Sequence, residues 1–310
     1  MITAANPAVN PIRAVSYQEA TARERLQSLF DAGSFDEFLP PSKRVISPHL
    51  GQLNAPVAFD DGVAVGRALL GGVPVYTAAQ EGGFMGGAVG EVHGAKLVGL
   101  LRRAVADKVA AVVLLVESGG VRLHEANAGL IAVSEVMRAL LDARAAGVPV
   151  IVLVGGSNGA FGGMGIVSRC ANVVVMSEEG RLAMSGPEVI ETANGVEEFD
   201  SRDRALVWRS TGGKHRYLMG DCQRIVADDI AAFRAAAQQA VAQYASQPVE
   251  LSLEALEAEQ RMLTERIARF GALPDPVDIW TAMQIPDAAN VPMLEVDSFI
   301  AVAAARRMGA

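Results

Sequence analysis

The sequence is poor in cysteine and lacks the short motifs that hold zinc. Its cysteines, Cys170 and Cys222, lie far apart and form no CxxC pair. Because a zinc ribbon needs four closely spaced thiolates, that class of site is excluded. No HExxH motif occurs, and the histidines are scattered at His49, His93, His124 and His215. We therefore expect no metal site, and two isolated thiols are typical of a reducing cytoplasm.

Phosphate-binding loops and excess positive charge are also absent. No GxGxxG follows a candidate strand, and GxxxxGK[ST] occurs nowhere in the 310 residues, which argues against dinucleotide and nucleoside triphosphate binding. The net charge is −8 and the pI about 5.1, so nucleic acid is not an expected partner. No apolar run approaches the roughly 20 residues of a membrane span, and no signal-peptide core is seen at the start. These absences predict a cytoplasmic protein without a membrane segment.

Apolar residues and glycine, in contrast, are abundant. Hydrophobic residues make up 51% of the chain and charged residues 20%, the composition of a globular protein with a sizeable core. Two β-branched runs, Val112–Val116 and Val148–Val154, each lead into a glycine-rich turn and then a helical pattern. This arrangement is typical of buried parallel strands that connect to helices.

Strand and helix patterns alternate along the rest of the chain, which predicts an α/β fold. Strands are predicted at 63–69, 73–79, 112–116, 148–154 and 172–176, and helices at 91–105, 124–145, 160–169 and 228–243. A possible capping box of Ser16 and Glu19 predicts an N-terminal helix over about residues 16–33. An amphipathic pattern from Leu253 to Phe270 predicts a C-terminal helix. We divide the chain into a domain, 1–245, and a helical extension, 246–310, packed on the domain or on a partner.

The glycine turns form the candidate active site. Gly119 and Gly120 follow the first apolar run, and Gly162 and Gly163 follow the second. Where such turns lead into helices, backbone N–H groups lack partners and carry the positive end of the helix dipole. Two turns side by side would hold negatively charged oxygen, as enolate chemistry on a thioester requires. Losing one such donor costs roughly 3 kcal/mol of transition-state stabilisation.

A serine hydrolase is the alternative from another class. The segment from Gly155 to Gly159 satisfies GxSxG between a strand and a helix, which would make Ser157 the nucleophile. His215 is the only histidine downstream, with Asp200 or Asp203 as the acid. The serine hydrolase hypothesis gives no function to the other glycine turn, at Gly119 and Gly120.

Longer runs resemble a known family. The SGGVR segment at 118–122 and the FGG segment at 161–163 are similar to the SGGAR and TGG segments of acyl-CoA carboxyltransferases. AAQEGGFMGGAVGEVHGAKLVGLL, SGGVRLHEANAGLIAVSEVMRALLDARAAGVPVI, MSGPEVIE and GVEEFDSRDRALVWRSTGGKHR resemble the β subunits of biotin-independent malonate decarboxylases. The resemblance spans about residues 20 to 240.

That resemblance implies a crotonase-like spiral of repeated ββα units and a carbon–carbon lyase reaction. A malonyl thioester on the phosphoribosyl-dephospho-CoA arm of an acyl carrier protein would lose CO2 and give the acetyl thioester. The chain itself would bind no cofactor, and no biotin is expected. The implied partners are a γ subunit, the acyl carrier protein and the transferase subunit that serves it. The alternative within the family is the carboxyltransferase subunit of a biotin-dependent malonate decarboxylase or acyl-CoA carboxylase.

Further side chains are candidates for binding. The resemblance assigns the backbone donors to Gly119, Gly120, Gly162 and Gly163. Arg122 and His124 follow the first turn and are suited to steering a carboxylate or returning a proton. Candidates for contacting the substrate also include Ser118, Ser157, Asn158 and Gly159. Candidates for meeting the phosphates of the carrier arm are Lys214, His215 and Arg216.

Overall fold

A single mixed sheet runs through the part of the chain that the computed structural model describes, namely residues 15–43, 47–52, 54, 61–246 and 252–309. Its strands, which lie in sequence order, are β1 (Asp36–Glu37), β2 (Val63–Leu70), β3 (Val73–Gln80), β4 (Val112–Val116), β5 (Val150–Val154), β6 (Val173–Ser177) and β7 (Arg224–Val226). Strands β1 to β3 pair antiparallel, and β3 to β7 pair parallel. The predicted hairpin and buried parallel strands are therefore confirmed.

Helices cover both faces of the sheet. They are α1 (Ala22–Leu29), α2 (Pro48–Gln52), α3 (Glu91–Asp107), α4 (Asn127–Ala145), α5 (Gly162–Arg169), α6 (Pro187–Asn194), α7 (Arg204–Thr211), α8 (Gly213–Leu218), α9 (Ile230–Ser246), α10 (Leu253–Phe270), α11 (Pro276–Ala282) and α12 (Val296–Ala303). Alternate residues of β4 to β6 enter two apolar cores, one with α3, α4 and α5 and the other with α1 and α9. Burial on both faces explains why these strands are continuously apolar.

A second, shorter ladder follows the main strands. Single parallel bridges join Ser118 to Ala160 and Ala160 to Leu182, and another joins Val89 to Val121. Each bridge residue lies between a main strand and the helix or turn that follows it. The chain therefore repeats a strand, a one-residue second strand and a helix, which places the glycine turns at one end of the sheet.

Three predicted boundaries are wrong for identifiable reasons. The N-terminal helix is shorter than 16–33, because the capping box is formed by Thr21 and Glu24 and the helix ends at Leu29. Helix α4 starts at Asn127 instead of 124, since Ala126 has a φ of 45° and interrupts the helix after a 3₁₀ turn. Strand β5 begins after Pro149, which has no N–H to give to a ladder.

The C-terminal helices join the core on the side of α8. Trp280 and Phe299 are almost fully buried in the same apolar core as Leu218. Helix α10 is different, because Leu256 and Ile267 are 59% and 71% exposed. Its apolar stripe is therefore largely uncovered within the described chain. None of the helices formed by the described residues combines the length and hydropathy needed to cross a bilayer.

Candidate active site

The two glycine turns lie side by side, as the sequence predicted. The N–H of Ser118 donates to Gly159 O at 2.7 Å, and the N–H of Phe161 donates to Ser118 O at 2.8 Å. An added Cβ at Gly162 would lie 3.0 Å from Gly120 Cα, and Gly162 has a φ of +56°. Both the close approach and the left-handed backbone require glycine at position 162. The two turns are therefore joined by backbone hydrogen bonds and packed directly against each other.

The amides of the two turns differ in their partners. The Gly119 N–H donates to Gly86 O at 2.8 Å, and the Gly120 N–H donates to Ser118 Oγ at 3.1 Å. Gly162 and Gly163 are the first two residues of α5, and their N–H groups have no acceptor among the described residues. Both residues are partly exposed. The start of α5 thus offers free donors with the favourable end of the helix dipole.

A buried carboxylate that the sequence analysis missed holds the loop that leads into the second glycine turn. Glu117 directly precedes the first turn, and its Oε1 accepts from Ser157 Oγ at 3.1 Å, from the Asn158 N–H at 3.2 Å and from Asn158 Nδ2 at 3.1 Å. Its Oε2 forms an ion pair with Arg25 of α1, and both side chains are at most 5% exposed. Glu117 therefore links the first glycine turn to the loop that precedes the second turn and to the N-terminal helix. An acidic residue directly after a buried apolar strand is the sequence signal that could have revealed the role of Glu117, because a buried charge needs a partner.

A second polar pair supports the backbone of Glu117. Its N–H donates to Gln80 Oε1 at 3.1 Å, and Gln80 Nε2 lies 3.0 Å from His93 Nε2. Burial, and next the charges of Arg122 and Lys96, lower the pKa of His93 to about 3. His93 is therefore neutral, and its Nε2 accepts from the Gln80 amide.

Arg122 and His124 have different environments. Arg122 is buried, and its guanidinium bonds Asp61 Oδ1 at 2.8 Å, Glu125 Oε1 at 2.9 Å and Ala88 O at 3.0 Å. These contacts argue against the predicted role of Arg122 in steering a substrate carboxylate. His124 is exposed in the 3₁₀ turn (Leu123–Glu125) that follows the first glycine turn. His124 therefore stays a candidate.

The contacts of Ser157 do not form a hydrolase triad. Its hydroxyl donates to the Glu117 carboxylate, and Asn158 contacts the same oxygen. His215, the histidine that the triad would need, is buried and accepts from Trp280 Nε1 through Nδ1 at 3.2 Å. Ser157 and Asn158 thus fix the position of their loop. The carbonyl oxygen of Gly159 accepts from the N–H of Ser118 and joins this loop to the first glycine turn.

The basic run 214–216 packs against the C-terminal helices. Lys214 Nζ donates to Pro292 O at 2.9 Å and to Leu294 O at 2.6 Å, and it pairs with Glu178 at 3.1 Å. With His215 it lines a cavity of about 320 Å³ beneath α11. These buried contacts argue against Lys214 and His215 as contacts of a carrier arm. Arg216 differs, because it borders another cavity beside α5.

Acid should destabilise the fold through His215. Burial, and next the charge of Arg216, lower the pKa of His215 from 6.5 to about 3. Between these values the unfolded chain binds a proton that the folded chain does not, so stability falls as the pH drops. Between pH 7 and pH 5 the free energy of unfolding, measured by urea titration, should fall by about 2 kcal/mol less in His215→Asn than in the unaltered chain. The exposed-site variant His124→Asn is the control, and equal pH dependence of the two variants would refute the prediction.

Comparison with known proteins agrees with this geometry. The Carboxyl transferase domain family matches residues 16–261. The malonyl-S-ACP:biotin-protein carboxyltransferase of Malonomonas rubra is 40% identical over 93% of this chain and 95% of its own length. A chain of a Pseudomonas malonate decarboxylase hetero-tetramer in complex with malonate is 38% identical with a TM-score of 0.79, covering 87% of this chain and 98% of that one.

A chain of the Pseudomonas malonate decarboxylase hetero-dimer has 36% identity and a TM-score of 0.63, covering 80% of this chain and 96% of that one. These similarities confirm the crotonase-like fold and the resemblance to malonate decarboxylase subunits that the sequence motifs indicated. The chain belongs to the Carboxyl transferase domain family.

Proposed function

We propose that this chain is the β subunit of a malonate decarboxylase. With a γ subunit, it would convert a malonyl thioester on an acyl carrier protein to the acetyl thioester and CO2. The observation that carries the proposal is the pair of free amides at Gly162 and Gly163, directly beside the first glycine turn. Two relatives support the choice of substrate, since their names include malonyl-S-ACP and malonate.

The reaction needs little from side chains. The bond between the carboxylate carbon and C2 breaks, and its electron pair moves into the thioester carbonyl as an enolate. Negative charge on the enolate oxygen is stabilised by N–H donors that are already oriented, so no reorganisation is needed during the step. C2 then takes up a proton. Of the two side chains predicted for that role, the exposed His124 is our candidate.

Partner subunits complete the proposal. The similar Pseudomonas chains come from a hetero-dimer and a hetero-tetramer. In this chain Leu123, Leu130 and Ile131 are 83%, 56% and 62% exposed where α4 begins, next to the first glycine turn. We propose that the γ subunit covers these residues and encloses the site. The substrate would arrive on the phosphoribosyl-dephospho-CoA arm of the acyl carrier protein, which a separate transferase subunit loads.

A biotin-dependent carboxyltransferase is the second candidate, because the Malonomonas relative is named as one. The same enolate forms in that reaction, but the carboxyl group passes to biotin on a carrier protein. The backbone donors would serve both reactions equally. The fate of the carboxyl group therefore has to be measured.

Co-expression of this chain with the proposed γ subunit and carrier protein distinguishes the decarboxylase from the biotin-dependent carboxyltransferase. The purified complex, supplied with malonyl-loaded carrier protein, is expected to release CO2 at a rate that avidin does not change. The chain by itself is expected to release little, because its site lacks the covering partner. Inhibition by avidin would favour the biotin-dependent reaction. Absence of turnover with malonyl-loaded acyl carrier protein, whether or not a biotin carrier protein is also supplied, would refute the proposed function.

A further inference from the structure

Three arginines converge on one buried aspartate beside helix α5. Asp221 Oδ2 lies 3.0 Å from Arg216 Nη1, and Asp221 Oδ1 lies 2.8 Å from Arg266 Nη1 and 3.7 Å from Arg169 Nε. The arginines come from α8, α10 and α5. The Asp221 side chain is 8% exposed, whereas the three arginines are 22–27% exposed.

This cluster carries more positive than negative charge. Burial tends to raise the pKa of Asp221, but the charges of Arg216, Arg266 and Arg169 outweigh it, and the pKa lies below its usual range. One ionised carboxylate therefore faces three guanidinium groups. Glu259 is 3.8 Å from Arg169 and 54% exposed, so solvent screens its contribution. A local positive excess is unusual in a chain with a net charge of −8.

A cavity opens onto this cluster. It has a volume of about 260 Å³ and is lined by Arg169, Arg216, Arg266 and Asp221 together with Gly165, Ile166, Leu182, Ala183 and Met184. Arg216 Nε has no acceptor among the described residues. Arginine donors in a partly enclosed space are the usual chemistry for binding phosphate.

The cavity also lies close to the glycine turns. Helix α5 begins with Gly162 and ends with Arg169, and at a rise of 1.5 Å per residue these ends are about 10 Å apart. Ile166 and Met184, which are 42% and 72% exposed, give the cavity an apolar side. A ligand with a phosphate at one end and a thioester on a flexible arm could therefore reach both sites.

We propose that Arg169, Arg216 and Arg266 form a subsite for a phosphate or diphosphate group of the thioester carrier. The same chemistry is present in inorganic diphosphate, in coenzyme A and in a carrier-bound phosphopantetheine-type arm. The identity of the carrier rests on the proposed function, but the binding of phosphate does not.

Binding of inorganic diphosphate to the full chain tests the subsite directly. Isothermal titration calorimetry is expected to give saturable binding, and Arg266→Gln and Arg169→Gln should each weaken it by about tenfold through the loss of one charge-assisted contact. Arg261→Gln is the matched control. Arg261 lies on the same helix, is 70% exposed and pairs with Glu257, so its loss changes the net charge equally and should leave binding unchanged. Absence of binding by the unaltered chain, or equal weakening by all three variants, would overturn the proposal.

A fourth variant separates binding from a purely structural role. Asp221→Asn removes the carboxylate that competes with a bound anion, so diphosphate should bind more tightly to it. If Asp221→Asn and the arginine variants all leave diphosphate binding unchanged while circular dichroism shows folded chains, the cluster only joins helices and the subsite does not exist.

To test whether the subsite binds the phosphates of the thioester carrier, the assembled complex is assayed with one thioester that has phosphates and one that has none. Arg266→Gln is expected to reduce the preference for malonyl-CoA over malonyl-N-acetylcysteamine, which has no phosphate, by about tenfold in kcat/KM. An unchanged preference, with diphosphate binding lost, would overturn the assignment of the carrier. Absence of turnover with either substrate, in a complex that is also inactive with malonyl-loaded carrier protein, would refute the proposed function and leave the diphosphate titration as the test of the subsite.

Discussion

Replacing Gly163 by proline, in a chain that also carries Val133→Ala, is expected to slow decarboxylation about 10²–10³-fold relative to Val133→Ala alone. Proline removes the backbone donor that we assign to the enolate, and it is tolerated in the first turn of a helix. The second substitution is needed because an added Cβ at Gly163 would lie 2.5 Å from Val133 Cγ1. The rate of CO2 release by the assembled complex is the measurement.

Gly163→Ala in the same Val133→Ala background is the matched control. Alanine adds the same Cβ but keeps the N–H, so most of the activity should remain. The comparison is made on variants with equal thermal unfolding temperatures. Equal rates for the proline and alanine variants would show that the Gly163 N–H does not hold developing charge, and the assignment of the donors to α5 would fail.

The parts of the fold that were predicted depend on local signals. Strands β4 and β6 begin and end within one residue of the predicted bounds, because β-branched runs buried on both faces leave little ambiguity. The glycine turns were located correctly for the same reason. Helices α7 and α8 were not predicted, since their glycine-rich and polar sequence resembles a loop and contacts with α11 and the core stabilise them.

The contacts of the site depend on residues far apart in the chain, and sequence alone does not reveal them. Arg25 and Glu117 are 92 residues apart, and Arg122 and Asp61 are 61 apart. A charged residue beside a glycine turn looks available for substrate until its buried partners are known, which is why the sequence made Arg122 a candidate for steering a carboxylate. The amide of Gly119 was also assigned to substrate, although Gly86 accepts from it. Motifs therefore located the candidate site, and only the fold shows which of its donors lack an acceptor among the described residues.

Breaking the ion pair between Arg25 and Glu117 is expected to have the largest effect on stability. Arg25→Met and Glu117→Gln should each lower the free energy of unfolding by about 3–5 kcal/mol, because each leaves a buried group without its partner. In Glu117→Gln the side-chain NH2 group would take the place of the oxygen that pairs with Arg25, so two hydrogen-bond donors would face each other. Urea unfolding followed by circular dichroism measures both losses.

The double variant Arg25→Met/Glu117→Gln separates the ion pair from the loop contacts. Its glutamine oxygen can still accept from Ser157 and Asn158, and no unpaired charge remains, so the double variant should lose less stability than the two single variants combined. The surface pair of Arg67 and Asp36, which is 63% and 58% exposed, provides the control, and Arg67→Met should cost only about 0–1 kcal/mol. If Arg25→Met costs no more than Arg67→Met, the buried pair does not hold the glycine turns. A large loss in Arg25→Met accompanied by slower CO2 release would instead connect the N-terminal helix to the geometry of the donors at α5.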